Sequence, residues 1–154
     1  MAIKIVVGDL LEAEENILVH QTNCQGVMGS GIAVQIKEKY PIAYEEYVQL
    51  CSNYYNDKER LLGKAHVVSD GGKYVANVFG QLSYGRDSIR YTNYHALEEG
   101  LKKIAGMAKG EGLSVAIPYA IGCGLGGGRW GIVYKIIEKI FEDCEVTIYK
   151  LEEI

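Results

Sequence analysis

Asn23-Cys24-Gln25-Gly26-Val27-Met28-Gly29-Ser30-Gly31 and Ile121-Gly122-Cys123-Gly124-Leu125-Gly126-Gly127-Gly128 are two glycine-rich stretches. Each lies between an apolar run and the start of a helical pattern. Glycine admits positive φ and lets a ligand approach the main chain closely. A helix N-terminus adds free N–H groups and partial positive charge, which suit phosphate. Two such loops in one small chain predict a clamp around a pyrophosphate.

Outward from these loops, residues 3–8 and 16–22 read as strands, the second running into the first loop. Apolar positions 32, 33, 36 and 40 have helical spacing. Pro41 interrupts that pattern and suits the first turn of a new helix over 41–53, with Tyr44, Tyr47, Val48 and Cys51 on one face. Residues 64–69 and 73–79 read as strands joined by Asp70-Gly71-Gly72, a hairpin signal. Residues 81–90 read as a polar loop. A helix is expected over 91–107, through Tyr94, Leu97, Leu101 and Ile104, with Thr92 in its N-cap region. Residues 113–120 read as a buried strand. A last helix is expected over 130–141 with Ile132, Val133, Ile136, Ile137 and Ile140 inward, and a closing strand over 145–151. The order β-β-α-α-β-β-α-β-α-β predicts an α/β mixed sheet with helices on both faces. Ligands of such sheets bind outside the carboxyl ends of the strands.

The 154 residues carry 16 Lys and Arg against 20 Asp and Glu, a net charge of −4. This length fits one domain with one core. No basic run favours tight binding to duplex nucleic acid. No apolar run approaches the roughly 20 residues of a membrane span, and the N-terminus lacks a signal-peptide layout. Cys24, Cys51, Cys123 and Cys144 have neither zinc-like spacing nor a Cys-x-x-Cys pair, which reads as four free thiols in a reducing cytoplasm. Cys24 and Cys123 sit in the two loops, with no base beside them in sequence.

Gly122, Gly124 and Gly127 satisfy Gly-x-Gly-x-x-Gly. A dinucleotide fold places that motif in an early βαβ unit with an acid about 20 residues on, and here only one helix and one strand remain. Neither loop ends in the Gly-Lys-Ser/Thr of a P-loop. Asp9, at the end of the first strand, can accept from an exocyclic amine such as adenine N6, or cap a turn. Asn23 can bond a ribose hydroxyl, or hold its own loop as an Asx-turn. His20, two residues ahead of the loop, is either a core histidine or an acid–base group near phosphate. His66 and His95 read as structural or surface residues. Tyr149 is a candidate for stacking on a base. Arg86 and Asp87 read as solvated loop charges.

Gly8-Asp9-Leu10, the run from His20 through Gly26 to Gly29-Ser30-Gly31-Ile32-Ala33, and Ile121-Gly122-Cys123-Gly124-Leu125 together resemble the macro domains. These are ADP-ribose-binding three-layer α/β/α folds with a central mixed sheet. The resemblance spans nearly the whole chain and implies one domain over 1–154. It implies that Asp9 contacts adenine N6 with Leu10 beside it, and that Tyr149 packs on the adenine. Asn23 and the Gly29, Ser30, Gly31 turn would hold the distal ribose. Gly122, Cys123, Gly124, Leu125 and Gly126 would cradle the pyrophosphate.

Within the family, the chain is similar to the branch of terminal ADP-ribose protein glycohydrolases and ADP-ribose-1″-phosphate phosphatases. Glycohydrolases of this branch use a lysine after the central strand and an aspartate after Gly-Cys-Gly-Leu. Gln81 and Gly126 stand at those positions, and neither supplies an amine nucleophile or an acid. The phosphatases use a His and an Asp, for which the resemblance offers His20 and Asp87. One would orient or deprotonate water while the loops stabilise charge, with neither metal nor cofactor. The resemblance therefore implies hydrolysis of ADP-ribose-1″-phosphate, or a related 1″-linked derivative, and the chain is expected to be cytoplasmic and a monomer. A reader of ADP-ribose or ADP-ribosylated protein, a protein de-ADP-ribosylase, and a nucleotide-binding α/β protein outside this family are the alternatives. The reader would bind without turnover. The last would not prefer ADP-ribose over NAD or ATP.

Overall fold

Strand β2 (Ile17–Asn23) runs through the middle of the sheet and is buried on both faces. Successive side chains of a strand point to opposite faces. Ile17 and Val19 therefore enter one apolar layer, and Leu18 enters the other. The computed structural model describes residues 3–152, so the expected domain over 1–154 extends past them at both ends.

The remaining elements follow the predicted order. They are β1 (Ile3–Val7), α1 (Ile32–Lys39), α2 (Pro41–Asn53), β3 (Ala65–Asp70), β4 (Lys73–Gln81), α3 (Tyr94–Glu111), β5 (Val115–Pro118), α4 (Trp130–Ile140) and β6 (Val146–Lys150). The six strands form one sheet in the order β1-β6-β5-β2-β4-β3. All neighbours are parallel except β3 and β4, which form the expected hairpin across Gly71 and Gly72. Helices α3 and α4 cover the face that carries Ile17, Val78, Ile117 and Ile148. Helices α1 and α2 cover the other, with Leu18, Val75 and Ala116. The result is a three-layer α/β/α arrangement. Because five strands are parallel, their carboxyl ends share one edge, and both glycine loops leave from it.

Three expectations shift. Helix α3 begins at Tyr94 and runs to Glu111, rather than over 91–107. Its N-cap is Asn93, whose side chain accepts from Ala96 N at 3.0 Å, because Thr92 is drawn into the sheet edge by a bridge to Gln81. In α4 the inward face is Val133 and Ile137, with Ile136 and Ile140 flanking, while Ile132 is exposed. Two short 3-10 turns, Leu10–Glu12 and Lys58–Leu61, lie outside the expected elements. Turns of three or four residues carry no periodicity to detect.

Helix α3 approaches β4 so closely that position 100 has no room for a side chain. A Cβ on Gly100 would lie 2.5 Å from Val78 Cγ1, whereas one on Gly106 would meet nothing within 4 Å. Gly100→Ala should therefore lower stability by about 1–3 kcal/mol despite alanine's better helix propensity. Gly106→Ala in the same helix should raise it by about 0.5–1 kcal/mol. Urea titration of both variants checks the opposite signs.

Candidate active site

A cleft of about 1120 Å³ opens along the carboxyl edge of the sheet. It crosses the ends of β1, β6, β5, β2 and β4. At an interstrand spacing of about 4.8 Å, that is roughly 19 Å from end to end.

At the β1–β6 end, Asp9, Leu10 and Tyr149 line the cleft. Asp9 Oδ1 accepts from Leu11 N at 2.9 Å, so one oxygen caps the 3-10 turn. The ring of Tyr149 lies against Gly8, and its hydroxyl donates to Glu15 Oε1 at 2.6 Å. Burial, reinforced by Glu15, pushes that phenol up to about 12. Tyr149 is therefore a neutral aromatic wall at neutral pH.

The middle of the cleft lies between the two glycine loops. Gly29, Ser30 and Gly31 line it on one side, and Gly122, Gly124, Leu125 and Gly126 on the other. Gly31 is the N-cap of α1, with φ 60° and ψ −143°, a conformation close to glycine-only. It aims the first turn of α1, with Ile32 and Ala33, into the cleft. Among the described residues, the N–H groups of Gly122, Gly124, Leu125 and Gly126 find no acceptor, nor do those of Gly29, Ser30 and Gly31. Opposed sets of free N–H donors suit a pyrophosphate.

Cys123 does not line the cleft. Its side chain packs into the α3–α4 layer, its N–H donates to Ala120 O at 2.9 Å, and burial raises its thiol pKa. Cys24 is buried and pushed up to about 12. Neither offers a thiolate nucleophile.

Asn23 lines the cleft, but its side chain is committed to the loop. Oδ1 accepts from Gln25 N at 2.9 Å and from the Tyr47 hydroxyl at 2.9 Å, while Nδ2 donates to Val27 O at 2.8 Å. The Asx-turn reading describes this geometry.

The β2–β4 end holds neutral amides. Gln21 Nε2 donates to Gln81 Oε1 at 2.7 Å and to Thr92 Oγ1 at 2.8 Å. The Thr92 hydroxyl donates to Gly122 O at 2.6 Å, and Gln81 Nε2 donates to Ser83 O at 2.8 Å. Gln21 Oε1 is buried without a partner. A Cβ on Gly126 would lie 2.6 Å from Thr92 Oγ1 and 2.8 Å from Gly122 O, so this network itself demands glycine there. Tyr84, Gly85 and Arg86 complete this end.

His20 and Asp87, expected as the catalytic pair, do not line the cleft. The cleft is lined by the last three residues of β2, Gln21, Thr22 and Asn23, while His20 lies one residue earlier and points to the α1–α2 face. His20 is wholly buried, with Nε2 donating to Asn77 Oδ1 at 2.6 Å and Nδ1 unpartnered. Burial lowers its pKa to about 4, against a smaller opposing effect of the Asn77 hydrogen bond. His20, Asn77 and His66 are cross-strand neighbours on that face, and burial lowers His66 as well. Asp87 is exposed and accepts from the Tyr91 hydroxyl at 2.5 Å. The missed lining residues Gln21, Tyr84 and Arg86 carry no sequence signal beyond their proximity to the loops.

The buried neutral His20 has a stability consequence. The unfolded chain takes up a proton near pH 6.5, but the folded chain does so only near pH 4. Stability from this group is complete above 6.5 and is lost as pH falls toward 4. Between pH 7.5 and 5, His20 should account for about 2 kcal/mol of lost unfolding free energy. His20→Gln should remove that part of the pH slope in urea titrations at the two pH values. An unchanged slope would contradict a buried neutral ring.

The Macro domain family model matches residues 19–137. The chain is 33% identical over 150 residues to a DNA ADP-ribosyl glycohydrolase of Mycobacterium tuberculosis, covering 92% of this chain and 40% of that protein. It thus spans about two fifths of the length of the curated glycohydrolases it matches. It is 28% identical over 182 residues to an ADP-ribose 1″-phosphate phosphatase of Debaryomyces hansenii, covering 97% of this chain and 99% of that protein. Among solved structures, Thermosipho africanus DarTG in complex with ADP-ribose superposes with a TM-score of 0.79. The two are 26% identical, with 99% of this chain and 42% of that one covered. The family match, the three-layer sheet and the cleft between two glycine loops agree: the chain belongs to the Macro domain family.

Proposed function

We propose that this chain binds ADP-ribose in the cleft and hydrolyses a derivative substituted at the 1″ carbon, with ADP-ribose 1″-phosphate as the first substrate to test. The observation that carries this reading is that both glycine loops line the cleft with N–H groups that find no acceptor among the described residues. They lie between an acidic and aromatic end at Asp9 and Tyr149 and a distal end lined by Gln81 and Arg86. Adenine fits the first end, since Asp9 keeps one carboxylate oxygen free for an exocyclic amine. The pyrophosphate fits the donors, which places the distal ribose over β2 and β4.

The relatives support this reading. The phosphatase relative is matched over nearly its whole length, and its name concerns the 1″ position. The glycohydrolase relative acts, by its name, on an ADP-ribosyl bond. The DarTG neighbour holds ADP-ribose in its structure. Other 1″-linked forms, on protein among them, present the same distal ribose.

For the phosphate ester, water adds to phosphorus, the bond from phosphorus to the 1″ oxygen breaks, and that oxygen takes a proton. ADP-ribose and inorganic phosphate leave. The chain's part is to hold the nucleotide at both ends, exclude bulk water and present N–H and guanidinium donors to oxygens that gain charge. His20, neutral and enclosed, takes no part.

A ³¹P NMR time course with ADP-ribose 1″-phosphate should show inorganic phosphate accumulating with the protein and not without it. Shifted pyrophosphate signals without phosphate release would leave a reader of ADP-ribose instead. His20→Gln should keep its rate within about threefold, far less than the loss expected of a general acid or base. Gly126→Ala should weaken ADP-ribose binding by about tenfold, read by calorimetry. The added methyl group displaces the Gly122 carbonyl and with it the donor loop.

A further inference from the structure

The loop between β4 and α3 is held as a wall of the cleft. Tyr91 N and Thr92 N both donate to Gly126 O, at 2.8 and 2.9 Å. The Tyr91 hydroxyl donates to Asp87, and a Cβ on Gly85 would collide with that hydroxyl and lie 2.7 Å from Asp87 Oδ1. Gly127 is packed as tightly, since a Cβ there would lie 2.8 Å from Ile89 O. This packing presents Arg86 to the β4 end of the cleft. The carboxylate beside it in sequence is engaged by Tyr91, and none of the ion pairs among the described residues includes Arg86.

Arg86 is also set apart from the other cation that lines the cleft. Lys150 lies at the β6 end, over the ring of Tyr119 at 4.5 Å from its centroid. Three strand spacings separate β6 from β4, roughly 14 Å. The lining acids Asp9 and Glu152 follow β1 and β6, so no lining carboxylate competes at the β4 end. The other side chains lining that end are neutral: the Gln21 and Gln81 amides and the Tyr84 phenol.

We infer that Arg86 is a specificity-determining residue that recognises the substituent on the distal ribose, and that this substituent is a phosphate monoester dianion. The inference rests on the proposed function. A guanidinium offers a planar fork of donors that matches two phosphate oxygens, and it stays charged at every working pH. A dianion at this end meets one cation outside any ion pair, while the neighbouring carboxylate, Asp87, stands off the cleft lining and is engaged by the Tyr91 hydroxyl. A neutral leaving group would use none of that charge.

The test compares wild type, Arg86→Gln and Arg86→Lys. Affinities for ADP-ribose and ADP-ribose 1″-phosphate are read by displacing a fluorescent ADP-ribose analogue within seconds of mixing, at two salt concentrations. Arg86→Gln should leave ADP-ribose affinity within about twofold and weaken ADP-ribose 1″-phosphate by about tenfold. Arg86→Lys should fall between, because it keeps the charge and loses the fork. The steeper salt dependence of wild type for the phosphorylated ligand should vanish in Arg86→Gln. Equal loss for both ligands, or no loss for either, would overturn the inference and leave ADP-ribose binding standing. A wild type that binds neither ligand would overturn the proposed function and this inference with it. Arg86 is exposed, so both variants should keep the wild-type thermal midpoint.

Discussion

The hydrogen bonds donated by the Gln21 amide are the constraint on which the site depends. One side chain on the central strand joins the end of β4, through Gln81, to the threonine that precedes α3. Thr92 passes the tie to the Gly122 carbonyl and so to the second glycine loop. Three segments far apart in sequence are thereby held in one arrangement at the sheet edge. With both amide hydrogens used, the orientation of Gln21 is settled, and its carbonyl is left buried against Gly80 and Gly122 without a partner. An unmade bond of this kind costs about 1–3 kcal/mol. It is tolerated because the alternative orientation would face oxygen against oxygen at Gln81.

The same tie explains the glycine run that opens α4's approach. A Cβ on Gly126 or Gly128 would lie 2.8 Å from the Gly122 oxygen, and one on Gly127 2.8 Å from Ile89 O. The run is a packing requirement as much as a flexible ligand loop. It also gives Gly126 a physical reason for being glycine: the space an acidic side chain would need is filled by Thr92. The amide at Gln81 and the glycine at 126 thus belong to one coupled arrangement rather than to two separate losses.

Much of the fold was legible because its signals are local. The Asp70-Gly71-Gly72 turn defines its hairpin through backbone conformation alone. Pro41 marks the start of α2, and the apolar spacing of α3 finds its buried face. The two glycine loops marked the edge where the cleft opens, since turn chemistry and helix starts depend on neighbouring residues. The start of α3 was misread because Tyr91 and Thr92 obey the helical pattern yet bond across to Gly126. Ile132 was misread because α4 packs through a narrower stripe than its apolar residues describe.

The sequence by itself determined the order of elements, the α/β class, the family resemblance and the place of both loops. All of these follow from periodicity, turn residues and short motifs. Which side of β2 faces the ligand was decided only by the tertiary structure. The strand is buried on both faces, so its pattern carries no sign of where the cleft begins: its last three residues, Gln21, Thr22 and Asn23, line the cleft, and His20, one residue earlier, does not. The part played by Asp87 was likewise decided by packing. Its carboxylate meets the Tyr91 hydroxyl, and the neighbouring Arg86, not Asp87, lines the cleft.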